Sequence, residues 1–275
     1  MAVVLTHDAP QALDDCLRAI RGQLVPPAEV LVVDNGGLHP AGKVVEALGP
    51  GTVPISVLRL PDNPGPAGGH AAGLEQFLRS RQDLAWVFDD DCVPEPACLA
   101  ELLAEAEAAR HRGPVVVFPL QADHRGAVQN YPAWFGVLLP REVVRTVGVP
   151  LKALFWWTED TEYLQWRIPR AGFPVLRAQQ ARVVHHGVRQ TARKPAWKYY
   201  YETRNSVYYR LHVQRCRRAY KLAPYFVRTI LRVLVREDQR GRKLTLVGLG
   251  ACHGVVGRLG KSIPVTTHAA VRNLT

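Results

Sequence analysis

Three consecutive carboxylates, Asp89, Asp90 and Asp91, close an apolar run in the stretch WVFDDDCVPEP. Like charges this close repel one another unless something of opposite sign holds them. Adjacent carboxylates offer hard oxygen ligands to Mg2+ or Mn2+, and such a cation can in turn bridge a diphosphate. Alternate side chains at a strand end share a face, so Asp89 and Asp91 are expected to face one site while Asp90 points elsewhere. A merely solvated acidic loop explains the triplet as well, and the triplet alone leaves both readings open.

Three other stretches carry chemistry. NPGPAGGHAAG, residues 63–73, is glycine-rich and leads into a helical pattern, so its backbone can approach an anionic ligand closely. It lacks the GK[ST] ending of a P-loop and the GxGxxG spacing, and a tight structural turn fits it equally. In WWTEDTEY, Glu159, Asp160 and Glu162 follow two tryptophans. A carboxylate beside apolar rings has a raised pKa suited to a general base. The same residues also read as a helix start, with Thr158 as N-cap and acids in the first turn. His185 and His186 end an apolar strand, where histidine either completes a metal site or is structural.

The elements that must position these residues alternate. AVVLT, EVLVVDNGG, VPISVLRL, LAWVFDDD and GPVVVFPL read as strands. Helical patterns over 10–23, with Asp8 as N-cap and Pro10 in the first turn, after 63, and over 96–112 separate them. This βαβ succession predicts a mostly parallel sheet with helices on both faces, which binds ligands outside the carboxyl ends of its strands. Asp34 and Asp89–Asp91 stand at such ends. After residue 120 the alternation breaks up: 130–144 is aromatic-rich and carries turns, 181–187 is a short strand, 197–237 is helical and basic, and the glycine-rich remainder has no clear pattern.

The chain has 275 residues and a net charge of +11. From residue 187 onward it holds 19 Lys and Arg against three acids, so a tail of +16 follows a body of −5. Such a tail predicts a polyanionic partner. Arg217, Lys221, Arg228, Arg232 and Arg236 recur at helical spacing beside Leu222, Phe226, Ile230, Val233 and Leu234. The pattern suits a basic amphipathic helix lying on an anionic bilayer, or one packed on the protein with its charges in water. Nucleic acid is not expected, because no recognised binding motif accompanies the charge. Five cysteines without a CxxC exclude a zinc ribbon or thioredoxin-type site and suit reduced thiols. No apolar run of about 18 residues and no secretory leader occur, which predicts a cytoplasmic chain, peripheral at most on the inner face of the membrane.

Taken in order, VVDN at a strand end, then N-x-G-x-A-G-G-x-x-x-G, DDD, ED, and a strand ending in His closely resemble the family 2 glycosyltransferases. These are inverting GT-A enzymes that use nucleotide-sugar donors. The matching motifs run from about residue 3 to 185, and YETRN at 201–205 continues the pattern. FWWTEDTEYLQWRIPRAGFPV followed by VVHH is most similar to galactofuranosyl and rhamnosyl transferases of actinobacterial cell-envelope synthesis.

The resemblance implies an α/β GT-A domain over 1–196, Rossmann-like with a mostly parallel central sheet, and a basic, mainly helical region over 197–275. It implies that Thr6, Asp34, Arg59, Asn63, Gly65, Gly68, Gly69, Asp89 and Asp90 bind the nucleotide-sugar, and that Asp91 and His185 bind Mg2+ or Mn2+. Asp160 would be the base, since the second acid of the pair usually carries that role, with Glu159 supporting it; spacing alone does not choose between them. Trp156 and Trp157 would form the acceptor wall. His70 stands where the family often has Asn or Phe, which leaves the nucleotide contacts of that loop open. The implied donor is a UDP- or dTDP-sugar such as UDP-galactofuranose or dTDP-rhamnose, and the acceptor a glycan, a lipid-linked sugar or a small natural product. Two rivals remain. A nucleotidyltransferase would normally carry a glycine-rich motif near the N-terminus, which AVVLTHDAP lacks. A non-catalytic nucleotide-sugar or polyanion binder would not need every expected acid, and all are present.

Overall fold

β1 (Ala2–Thr6) and β2 (Val30–Asp34) are buried along their whole length, because helices cover both faces of the sheet they belong to. Alternate residues of β1 feed two apolar layers. Ala2 and Val4 join Leu17, Ile20, Val32, Phe88 and Leu102 on one face; Val3 and Leu5 join Val33, Leu74, Phe77 and Val87 on the other. In this computed structural model, residues 1–123, 128–129, 131–186, 193–216 and 219–265 are described.

The first sheet half also contains β3 (Ile55–Arg59) and β4 (Leu84–Asp89), with α1 (Pro10–Arg21), α2 (Ala41–Leu48) and α3 (Gly65–Arg79) as connections. All pairings among β1 to β4 are parallel. β5 (Cys92–Pro94), α4 (Cys98–Ala108), β6 (Val116–Asp123), β7 (Val128–Gln129), β8 (Phe135–Pro140) and α5 (Arg141–Val147) follow. A π-helical segment, Thr161–Arg167, runs into the short α6 (Ile168–Arg170) and then β9 (Val175–His185). The strand order is β3-β2-β1-β4-β8-β6-β9-β5, with β7 beside β6. β8 enters antiparallel to β4, and β6 and β9 pair in parallel.

The chain divides into two compact units, Met1–Leu151 with Asp160–Val188, and Lys152–Glu159 with Arg189–Thr275. The loop before Asp160 belongs to the C-terminal unit. That unit contains α7 (Ala196–Tyr208), α8 (Ala223–Arg236) and α9 (Arg240–Val256). α9 was not legible in the sequence. Its Gly250 and Gly254 lie so close to α7 that an added Cβ would stand 2.5 Å from the Tyr200 and Arg204 carbonyl oxygens. Arg217 of the expected basic stripe lies outside the described residues. No helix among the described residues is long and apolar enough to cross a membrane.

Two expected caps are corrected. Asp8 does not cap α1: it has φ +53°, and its carboxylate accepts the His39 N–H at 2.8 Å. Thr158 does not cap the helix after it; Asp160 does, accepting the Thr161 N–H at 2.6 Å. The aromatic-rich stretch expected to carry turns also contains β8, because its apolar residues Val137, Leu138 and Leu139 are buried in the sheet.

Candidate active site

Register alone lines up the carboxyl ends of four strands. Arg59 pairs with Asp34, Asp34 with Thr6, and Leu5 with Asp89. The chain leaves β1 toward β2 on one side and reaches β4 on the other, so a topological switch point opens above β1. Asp34 is buried; its Oδ2 accepts from Arg59 Nη1 at 2.8 Å and from the Ala41 N–H at 2.9 Å, at the start of α2. Arg59 Nη2 donates to the Gly37 carbonyl at 2.9 Å, and the side chain is 44% exposed. The outward-facing group of this pair is therefore the guanidinium.

Each acid of the triplet has its own partner. Asp90 does not point away from the site as expected, because the chain turns after β4 and brings its Oδ2 to the Thr6 hydroxyl at 2.6 Å. Burial pushes Asp90 up to about 7, against the Thr6 hydrogen bond. Asp89 Oδ1 meets His70 Nε2 at 3.0 Å. His70 is fully buried, and burial pushes its pKa down to about 3, so the ring that meets Asp89 is neutral. The ring stacks on Trp134 at 4.4 Å, and Trp134 stacks on Tyr163. Desolvation and then the Asp91 charge raise Asp89 well above the usual carboxylate range, with His185 opposing. Asp91 Oδ2 lies 3.0 Å from His185 Nε2, and His185 stacks on Phe135.

The glycine-rich segment is tied down by Asn63. Its Oδ1 accepts from the Gly65 N–H at 2.8 Å and from Asn35 Nδ2 at 3.1 Å, and its Nδ2 donates to His7 Nε2. Gly65 has φ +74°. A Cβ on Gly69 would stand 2.3 Å from Leu5 Cδ1, and one on Gly68 would stand 2.5 Å from Pro64 Cβ. These two glycines are needed to seat α3 against β1 and its own entry turn. His70 faces Asp89 through the gap so created, a role the sequence did not disclose.

Asp160 Oδ1 also accepts from Thr161 Oγ1 at 3.2 Å. Burial raises its pKa, with the Thr161 hydrogen bonds opposing. Its charge acts on both His70 and Asp89, so the second acid group and the triplet share one electrostatic environment. Glu162 is excluded as a base: it is buried and gripped by Arg167, with Nε donating to Oε1 at 2.9 Å and Nη2 to Oε2. Arg167 Nη1 also donates to the Val149 carbonyl at 2.8 Å.

In the C-terminal unit, the loop carrying the tryptophans holds Phe155, Trp157 and Thr158 at φ +63°, +75° and +76°. Left-handed backbone at such residues costs about 1–3 kcal/mol each and persists only when its surroundings enforce it. The enforcement comes from α7. Asn205 Nδ2 donates to the carbonyls of Leu154, Trp156 and Trp157 at 2.9, 2.8 and 2.8 Å. Arg204 Nη2 donates to Leu154 at 2.8 Å, and its Nε donates to Asn205 Oδ1. Both side chains are fully buried. Trp156 packs against Trp157 and Trp197, Trp157 is 48% exposed, and Glu159 is buried.

A Rossmann-like sheet with acids gathered at its switch point, and a further half-buried acid capping a helix beside them, is the arrangement of a GT-A glycosyltransferase. The chain belongs to glycosyl transferase family 2, whose model matches residues 1–150. It is 29% identical over 214 residues to the galactofuranosyltransferase GlfT1 of Mycobacterium tuberculosis, covering 67% of this chain and 69% of that one. It is 33% identical over 105 residues to the succinoglycan biosynthesis protein ExoU of Rhizobium meliloti, covering 38% of this chain and 30% of the relative. Among solved structures, S. aureus TarS 1–349 in complex with UDP-GlcNAc aligns with a TM-score of 0.62 at 16% identity, covering 92% of this chain and 80% of TarS 1–349. A longer TarS structure is covered only to 39% of its length. The mannosyltransferase PcManGT of Pyrobaculum calidifontis, in complex with GDP-Man and Mn2+, aligns at 0.58 with 14% identity, covering 99% of this chain and 77% of that one. The protein is a glycosyltransferase, and the nucleotidyltransferase and non-catalytic readings fall away.

Proposed function

We propose that the chain transfers a sugar, with inversion, from a UDP- or dTDP-sugar to a hydroxyl of a glycan, lipid-linked or small-molecule acceptor. The observation that carries this is the convergence of Asp89, Asp91, His185 and Asp160 outside the carboxyl ends of β1 and β4. The similarity to GlfT1 favours UDP-galactofuranose as donor and a cell-envelope glycan as acceptor. In this reading Arg59, held by Asp34, lies against the base, and Thr6, Asn63, Asp89 and Asp90 line the nucleotide. The donor set of Asp91 carboxylate and His185 imidazole suits a divalent cation, Mg2+ or Mn2+, which when bound supplies positive charge against the leaving diphosphate.

Asp160 accepts the proton of the acceptor hydroxyl as that oxygen bonds to the anomeric carbon. The bond from that carbon to the diphosphate breaks on the opposite face, and the nucleoside diphosphate leaves with the bonding pair. Burial of Asp160 favours this role, because a raised pKa makes it a stronger base. Trp157, exposed and three residues upstream in the chain, offers its ring to an acceptor sugar. NMR of the product from the purified enzyme, UDP-galactofuranose and a galactan acceptor tests the reading. A new glycosidic bond of inverted configuration is expected; retained configuration would remove the single displacement.

The same proposal includes contact with an anionic membrane. α8 exposes Val227, Leu231, Leu234 and Val235 to solvent together with Arg228, Arg232 and Arg236, and buries Val233. An exposed apolar stripe beside arginines is the composition of an interfacial helix. Cosedimentation with anionic liposomes that is lost when the three arginines become Glu is expected; equal binding by both forms would refute the contact.

A further inference from the structure

Cys92 does not belong to the motif that implied the metal ligands, yet its thiol stands among them. It is the cross-strand partner of His185 in the antiparallel pairing of β5 with β9, so the two side chains leave the sheet on the same face. Its Sγ lies 3.7 Å from Asp91 Oδ1, while Asp91 Oδ2 lies 3.0 Å from His185 Nε2. One donor atom from each of Asp91, Cys92 and His185 falls within 4.8 Å of the other two. In a tetrahedral site with metal–sulfur bonds of about 2.3 Å and metal–nitrogen or –oxygen bonds of about 2.0 Å, ligand atoms stand about 3.3–3.6 Å apart. The 3.7 Å between Cys92 Sγ and Asp91 Oδ1 is already close to that spacing.

We propose that Asp91, Cys92 and His185 form a three-ligand site for a thiophilic divalent cation such as Zn2+, Co2+ or Cd2+. The inference rests on Asp91 and His185 being the divalent-cation ligands of the proposed function. Carboxylate and imidazole accept Mg2+ or Mn2+, and adding a thiolate shifts preference to softer ions. Binding releases the thiol proton to solvent. A thiophilic ion so held competes with Mn2+ for the site that nucleotide binding requires. Removing only an outer-shell partner costs about 10–100-fold in metal affinity, so loss of the thiol ligand is expected to cost at least about tenfold.

The test is a Co2+ titration of the full chain carrying Cys216→Ser and Cys252→Ser, which removes the two thiols that are not buried, and of the same chain with Cys92→Ser added. Near-ultraviolet thiolate-to-cobalt absorption saturating at one ion per chain is expected, and Cys92→Ser should abolish it. Zn2+ should displace Mn2+ at a concentration at least about tenfold lower before that substitution than after it. Absence of the charge-transfer band, its survival in Cys92→Ser, or no binding of Co2+ at all would overturn the proposal. Calorimetry with UDP and dTDP in Mn2+ separates the two claims. Mn2+-dependent nucleotide binding without the cobalt band would sink the thiol ligand alone. Nucleotide binding that ignores Mn2+ would sink the metal reading itself.

Discussion

His70 Nε2 and Asp89 Oδ1 share a hydrogen bond of 3.0 Å while the His70 ring lies fully buried on Trp134. A neutral ring locked by stacking fixes one carboxyl oxygen of Asp89 and leaves the other for a ligand. His70→Ala removes this partner of Asp89 and opens a cavity beside Trp134. Losing a buried hydrogen bond of this kind is worth about 1–2 kcal/mol, so a fall of roughly 5–30-fold in affinity for UDP or dTDP in Mn2+ is expected by calorimetry. Unchanged affinity in a folded variant would show that Asp89 needs no such support.

Asp160→Asn is expected to keep nucleotide affinity and to lower turnover by about 100–10,000-fold, the range for loss of a general base. The base acts unprotonated, and burial raises its pKa. The acid limb of kcat/KM should therefore lie above the ordinary carboxylate range, with activity falling as pH drops through it. Near-normal turnover in Asp160→Asn, with the limb unmoved, would transfer the role to Glu159.

Asn205 supplies N–H donors to three carbonyls of a left-handed loop that ends at Glu159, one residue before Asp160. Asn205→Asp keeps the shape but sets oxygen against oxygen. It should lower kcat by about tenfold or more and leave the KM for donor nearly unchanged, since removing a partner from a buried polar group costs about 1–3 kcal/mol. Wild-type kinetics in Asn205→Asp would reduce the residue to space filling.

Glu162 and Arg167 form a structural pair beneath Val147 and Val149. Arg167→Leu strands a buried carboxylate and should cost about 3–5 kcal/mol in denaturant melts, whereas the double variant with Glu162→Leu should recover much of it. Equal stability of the single and double variants would contradict the pairing. The folded fraction of Glu162→Gln should keep its kcat.

Short-range signals made the N-terminal half legible. β1, β2 and β4 are runs of buried apolar residues, and Asp34 and Asp89 end two of them, so the row at the switch point could be read from strand ends alone. Long-range partners were not legible. Asn205 reaches carbonyls 48 to 51 residues upstream, and nothing local in YETRN announces it. The Gly68 and Gly69 pattern suggested a ligand loop, but its packing purpose depends on Pro64 and on Leu5 of another strand. α9 hid behind glycines with weak helix propensity, and contact with α7 explains two of them. Asp8 looked like a cap because Pro10 follows it, yet His39 N–H, 31 residues on, claims its carboxylate.

The most direct test of the central claim is calorimetric titration of wild-type protein and Asp91→Ala with UDP and with dTDP, each in Mn2+ and in EDTA. One nucleotide should bind the wild type in Mn2+, and both EDTA and Asp91→Ala should weaken that binding by at least about tenfold. Equal binding in Mn2+ and EDTA, or by Asp91→Ala, would contradict the reading that these acids hold a cation against the diphosphate.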